Sequence, residues 1–131
     1  MAEKRVVITG IGVIAPNGIG KQNFWNSLAQ GRSGIKPITI FDTTFFKTKT
    51  AGECSDFNAE EILGSTGLRN LDRSTKLVLA ATKLSIEDAK LAITDENTDD
   101  IGVVTATTLS VIVNIFEFSK EARDEGPQFV N

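Results

Sequence analysis

Four places in the sequence hold residues whose types and spacing suit chemistry. They are the glycine pair in Gly10-Ile11-Gly12-Val13-Ile14-Ala15, the single cysteine Cys54, the arginines Arg69 and Arg73, and the stretch Thr107-Thr108-Leu109-Ser110. The first formally fits G-x-G-x-x-[GA], the phosphate-binding turn of dinucleotide enzymes. That turn works when a helix opens inside the motif, so that its first amides and its dipole meet the pyrophosphate. Here apolar side chains fill the intervening positions and Pro16-Asn17-Gly18 delays any helix, which argues against a nucleotide. No G-K-[ST] is present, so a P-loop is excluded as well.

A nucleophilic cysteine needs a base, a cation or a helix N-terminus to lower its pKa. Glu53 and Asp56 flank Cys54 and act the other way, so Cys54 reads as a small structural residue. As the only cysteine it permits no internal disulfide and no cysteine-cluster metal site. The chain contains no histidine, the side chain on which acid–base work near neutral pH most often depends. Thr107 to Ser110 follow an apolar run, where ligands gather in α/β sheets; a helix cap by Thr107 or Thr108 fits equally well. Arg69 and Arg73 stand at the start of a helical pattern. Arg73 with Asp72 suits a structural ion pair, and Arg69 suits either a solvated surface or a docking contact.

The elements that would position these residues follow from the hydrophobic pattern. Residues 6–14 form an apolar, β-branched run, read as a strand buried on both faces in the middle of a sheet. Gly10 and Gly12 inside it would admit a close neighbour. Pro16-Asn17-Gly18 reads as a turn, and residues 20–30 as a helix with Phe24, Trp25 and Leu28 on one face. Residues 35–46 read as a loop anchored by Phe41, Phe45 and Phe46, and residues 47–55 as a short strand with Ala51 and Gly52 at a close approach. Asn58 caps a short helix to residue 63. The longest helix starts at Asp72, with Leu77, Ala80, Ala81, Leu84 and Leu91 on its apolar face, and nothing breaks it before Thr94. An acidic loop over 94–100 leads into a second buried strand at 101–106. Strand, long helix and strand then make a crossover suited to parallel pairing. A last helix is expected from Thr107 or Thr108 to about Ala122, stopped by Gly126-Pro127.

Length and charge set the outer limits. The 131 residues suit one domain, and the net charge of −3 gives no basic stripe for nucleic acid. No run approaches the roughly 20 apolar residues of a membrane span, and the start lacks a signal peptide's apolar core. A cytoplasmic protein with no membrane contact is the expectation.

The ordered series V-V-I-T-G-x-G-x-x-x-P-x-G, Phe24-Trp25-Asn26-Ser27-Leu28, Gly31-Arg32-Ser33-Gly34-Ile35, Phe41-Asp42, Ala51-Gly52-Glu53, Asp56-Phe57-Asn58, Leu71-Asp72-Arg73-Ser74-Thr75 and Ile101-Gly102-Val103-Val104 resembles the N-terminus of β-ketoacyl synthases. These are the condensing enzymes of fatty-acid and polyketide assembly. The resemblance implies a three-layer α/β/α thiolase-like fold, of which residues 1–131 would be part of the N-terminal half. It implies decarboxylative Claisen condensation, with acyl and malonyl thioesters and an acyl carrier protein as partners. It also implies a homodimer or a ketosynthase heterodimer in the complete protein, with no cofactor and no metal. The family's cysteine motif and histidines lie downstream, so no catalytic residue is assigned to this chain. Leu109 matches the bulky residue that gates the acyl pocket, with Thr108 beside it. Ala106, Thr108, Ser110 and Val111 replace glycines of that junction, which would stiffen it. Arg69 matches one position of the basic patch that receives the carrier protein, while Thr66 and Asn70 stand where the family is often basic. The family's strands beyond Asn131 would flank the two apolar strands. Two alternatives stay open: a chain-length-factor-like partner lacking the nucleophile, and a stand-alone interaction domain.

Overall fold

A computed structural model describes residues 4–110 and 112–129. The chain divides into two compact units, Met1–Ala92 and Ile93–Asn131.

In the first unit, β1 (Ile14–Ala15) and β2 (Gly18–Ile19) form an antiparallel hairpin around Pro16 and Asn17, with Ile14 opposite Ile19. Neither Asn17 nor Gly18 takes a positive φ. Gly18 is needed for a close approach instead: a Cβ there would lie 2.5 Å from the Phe24 amide nitrogen in α1 (Lys21–Ala29). Helix α1 buries Ser27, whereas Trp25 and Leu28 stay exposed. The face expected to be buried is thus only partly covered, because the small hairpin β1–β2 offers little surface to pack against. Gly20, at φ 80°, caps the helix without a side-chain bond.

A second antiparallel pair joins β3 (Ile35–Pro37) to β4 (Thr50–Gly52). Strand β4 and its close approach were expected, since a Cβ on Gly52 would meet Pro16 Cγ at 2.8 Å. Strand β3 falls where a loop was expected. Between them the aromatic anchors are not tucked under the chain: Phe41 and Phe46 meet edge to face at 5.4 Å, but Phe45 is 95% exposed. Polar contacts close this loop. Lys49 Nζ donates to the Thr43 and Thr44 carbonyls, and the Asp42 carboxylate accepts from Thr44 N and Oγ1.

Helix α2 (Ala59–Leu63) starts at the Asn58 cap, whose side chain accepts from Glu60 N. Helix α3 (Arg73–Ala89) starts at Asp72, whose carboxylate accepts from Thr75 N at 2.7 Å. The buried hydrophobic residues of the unit are Phe57, Leu68 and Ala80, so the core lies where α2 and its following loop meet α3. Helix α3 ends earlier than expected. Lys90 adopts the left-handed conformation at φ 52°, its N–H returns to Glu87 O, and Leu91 N–H returns to Ile86 O. This double closure is the Schellman motif, and it stops a helix without glycine or proline.

The expected central strands require correction. Residues 6–13 and 101–106 carry no ladder pairing, and parallel pairing is absent among the described residues. A β-branched run becomes a strand only when a neighbour takes its amides and carbonyls. Among the described residues no neighbouring strand does so here: the Ile11 amide goes to Asp88 and the Val13 carbonyl accepts from Gly20 N, and Val6 and Val104 are 95% and 98% exposed.

The second unit holds a 3-10 turn (Thr98–Asp100), helix α4 (Ile112–Asp124) and a final 3-10 turn (Pro127–Phe129). Residues 107–110 precede helix α4 as coil, bend and turn, so the helix start expected at Thr107 or Thr108 is not seen there. No helix among the described residues is long and apolar enough to cross a membrane.

Candidate functional site

Gly10 and Gly12 are seated against α3, not at a helix N-terminus. A Cβ on Gly12 would fall 1.8 Å from the Ala81 carbonyl oxygen, and one on Gly10 would fall 2.3 Å from that of Ser85. The chain then turns through β1 and β2 before any helix begins, so no amide cradle forms for a pyrophosphate. The seat is locked by Asp88, whose carboxylate accepts from Ile11 N at 2.9 Å and pairs with Lys21 Nζ. Those two bonds, the Lys21 contact first, hold Asp88 below the ordinary aspartate pKa.

A groove of about 750 Å³ in the first unit runs between the β3–β4 hairpin and α3. Ile38, Ile40, Phe41 and Leu77 give it apolar walls, and Glu53, Cys54 and Arg73 bring its polar groups. Glu53, Arg73 and the Cys54 carbonyl are already engaged. Glu53 accepts from Thr39 N at 2.8 Å and from Thr39 Oγ1 at 2.7 Å, bonds that lower its pKa and keep it ionised. Arg73 donates to the Cys54 carbonyl and its guanidinium lies 5.7 Å from the Phe57 ring centre. Burial pushes the Cys54 thiol up, and Arg73 offsets this only in part. A raised thiol without a base is a poor nucleophile. The direction agrees with the expectation for Cys54, but partial burial drives it and the flanking acids do not. Arg73 does not pair with Asp72; it reaches the Cys54 carbonyl instead.

Arg69 is exposed in the turn that Leu71 N–H closes onto Leu68 O, and it makes no ion pair among the described residues. Its neighbours Leu68 and Leu71 line a second groove, of about 550 Å³, with Leu63, Leu79 and Ile86. A cation beside an apolar groove suits a partner that is acidic around an apolar face. Thr108 and Leu109 lie together in the bend before α4, with Leu109 71% exposed and its carbonyl accepting from Ile112 N. Arg69 belongs to the first unit and the Thr108–Leu109 pair to the second. Among the described residues no cluster of His, Cys, Asp and Glu is arranged to hold a metal.

The family description "Beta-ketoacyl synthase, N-terminal domain" matches residues 3–130. The chain belongs to this family. This chain is 36% identical over 127 residues to 3-oxoacyl-[acyl-carrier-protein] synthase 2 of Synechocystis sp., covering 97% of itself and 30% of that relative. It is 37% identical over 127 residues to the actinorhodin polyketide putative beta-ketoacyl synthase 2 of Streptomyces coelicolor, covering 96% and 31%. In structure it resembles the ishigamide ketosynthase/chain length factor, with a TM-score of 0.78 at 32% identity over 99% of this chain and 32% of that one. The fold is therefore thiolase-like, and the chain spans about a third of the length of these relatives. The groove beside Glu53 was not foreseen in the sequence. Its one signal, a glutamate paired with a threonine fourteen positions earlier, is too distant for any local pattern to reveal.

Proposed function

We propose that this chain forms the N-terminal part of a 3-oxoacyl-[acyl-carrier-protein] synthase, in a three-layer α/β/α architecture completed by the rest of such a protein. The observation that carries this reading is the match over residues 3–130 to the N-terminal domain of that family. In the reaction, an acyl group held as a cysteine thioester is attacked by the carbanion that a malonyl thioester yields on losing CO₂. The acyl group passes to the carrier-bound carbon and the cysteine thiol is released. This chain supplies surface and pocket wall to that chemistry, not the reacting groups. It has no histidine, and its one thiol is shifted away from ionisation. Leu109, with Thr108, lines the acyl pocket, and Arg69 steers the carrier protein. No cofactor or metal is required. The assembled protein works in the cytoplasm as a dimer.

Placing residues 3–130 of this chain in the Synechocystis synthase, instead of that protein's own matching stretch, tests this reading. The graft is expected to condense carrier-bound substrates. Leu109→Ala should shift its product length, and Arg69→Glu should raise KM for the carrier several-fold with kcat kept, as loss of a steering charge does. Purified 1–131 is expected to be inert; condensation that survives Cys54→Ser in it would overturn the assignment.

A chain-length-factor-like role is the second reading. It is favoured by the ketosynthase/chain length factor resemblance and by the residues Ala106, Thr108 and Ser110 where the synthases' junction is glycine-rich. A graft that folds and dimerises with an intact synthase yet never turns over would favour it.

A further inference from the structure

Residues 54–73 form an excursion whose two ends are tied together by one side chain. Arg73, in the first turn of α3, donates to the Cys54 carbonyl 19 positions earlier, and its guanidinium lies 5.7 Å from the Phe57 ring centre. Closing an excursion at its base restricts everything it carries. A second cation pins its middle: Lys83, farther along α3, donates to the Ile62 carbonyl near the end of α2. Inside, Phe57 and Leu68 are both 8% exposed, and with Arg73 they line one hollow of about 360 Å³. Arg69 follows Leu68 directly, in the turn where the Leu71 N–H meets the Leu68 carbonyl at 3.2 Å. Its own side chain is exposed and makes no ion pair among the described residues, so its place is set through its backbone. We infer that Arg73 is a positioning residue for carrier recognition: tied to Cys54 and laid on Phe57, it holds the Leu68–Leu71 turn from which Arg69 meets the carrier protein. The inference rests on the function proposed above, which gives Arg69 its docking role.

The tie needs arginine in particular. A guanidinium is flat and carries several donors, so it can lie against the Phe57 ring and still aim an N–H at the Cys54 carbonyl; a lysine ammonium keeps the charge but not the fork. Arg73→Lys therefore preserves the field that a carrier senses at a distance and removes the tie. Direct contact between Arg73 and the carrier, the competing use, depends on charge and would survive the lysine. The tie is solvent-exposed, so its loss should loosen the turn without unfolding the unit.

The graft of residues 3–130 into the Synechocystis synthase tests the inference through two readouts, amide exchange at Leu71 and affinity for the acyl carrier protein of Synechocystis. Arg73→Lys should lower Leu71 protection and weaken carrier affinity, each by about two- to fivefold, as loss of an exposed cation–aromatic contact does. Arg69→Ala should weaken affinity and leave Leu71 protection unchanged. The double variant should bind no worse than Arg69→Ala alone, because a positioning residue then has nothing left to position. Phe57→Leu keeps an apolar core residue and removes the ring face, and it should repeat the Arg73→Lys pattern. Leu71 protection or carrier affinity indifferent to both Arg73→Lys and Phe57→Leu, or fully additive losses in the double variant, would overturn the inference. A parent graft that does not bind the carrier, or binds it regardless of Arg69, overturns the docking reading and this inference with it. Binding that depends on Arg69 and not on Arg73 sinks this inference alone.

Discussion

Residues 6–13 and 101–106 have the same character in sequence, apolar and β-branched with a glycine, and they meet different fates. The first is seated: Gly10 and Gly12 let it touch the α3 backbone, and Asp88 takes the Ile11 amide. The second has no seat among the described residues. A Cβ on Gly102 would meet nothing within 4 Å, and Val104 is 98% exposed. The contrast separates two uses of glycine that composition alone does not distinguish. It also shows that β-branched sequence is a capacity for pairing, realised only where a neighbour supplies the partner groups.

The largest effect should come from filling the first seat. Gly12→Val places a Cβ where the Ala81 carbonyl oxygen already lies, and a backbone atom of a helix cannot swing aside as a side-chain tip can. Overpacking of this kind costs about 1–3 kcal/mol or more. Urea unfolding should show that loss, and amide exchange at Ile11 should speed up. An unchanged midpoint would mean that the segment is not seated on α3.

Much of what holds this seat is legible in the sequence, because it is local. The Asn58 and Asp72 caps, the apolar stripe through Leu77, Ala80, Ala81 and Leu84, and the glycines marking close approach can each be read within a few residues. What cannot be read depends on partners far along the chain or on a single backbone choice. Strand β3 is three residues ending in a proline and has no period. The stop of α3 rests on Lys90 turning left-handed, which no lysine announces. Phe45 looks like an anchor until one sees the loop closed by Lys49 and Asp42. Of the site residues, Arg69 and Leu109 were assigned through resemblance, and the structure gives each an exposed position in its own unit.

A milder effect should follow from acid. Asp88 is held below the ordinary aspartate value of about 3.9 by Lys21 and by the Ile11 amide. A carboxylate depressed in the folded state contributes stability that is fully present above the unfolded-state value and is lost as pH falls through the folded one. Protection of the Ile11 amide, its exchange relative to the intrinsic rate at each pH, should therefore be constant from neutrality to about pH 4 and fall below it. Asp88→Asn should remove the dependence. Residues 101–106, which have no such carboxylate contact among the described residues, should exchange at a rate that follows only the intrinsic chemistry. A protection step in 101–106 at the same pH would show that the two segments share a lock.

The smallest effect, and the sharpest contrast, belongs to Gly102→Ala. The same chemical change as at Gly12, one added carbon, here meets open space, and Gly102 does not use a positive φ. With no clash to oppose it, the substitution acts on the unfolded chain, whose freedom it reduces. That reduction is worth about 0.4–1 kcal/mol in favour of the folded state where the native backbone accepts alanine. The segment's own order limits the gain, because residues 101–106 carry no ladder pairing and lose less freedom on folding than a strand held in one. Urea unfolding of Gly102→Ala should therefore match the parent or lie slightly above it, while Gly12→Ala in parallel falls well below. Destabilisation at Gly102 equal to that at Gly12 would mean that the second segment also presses against a neighbour, and the contrast between the two would dissolve.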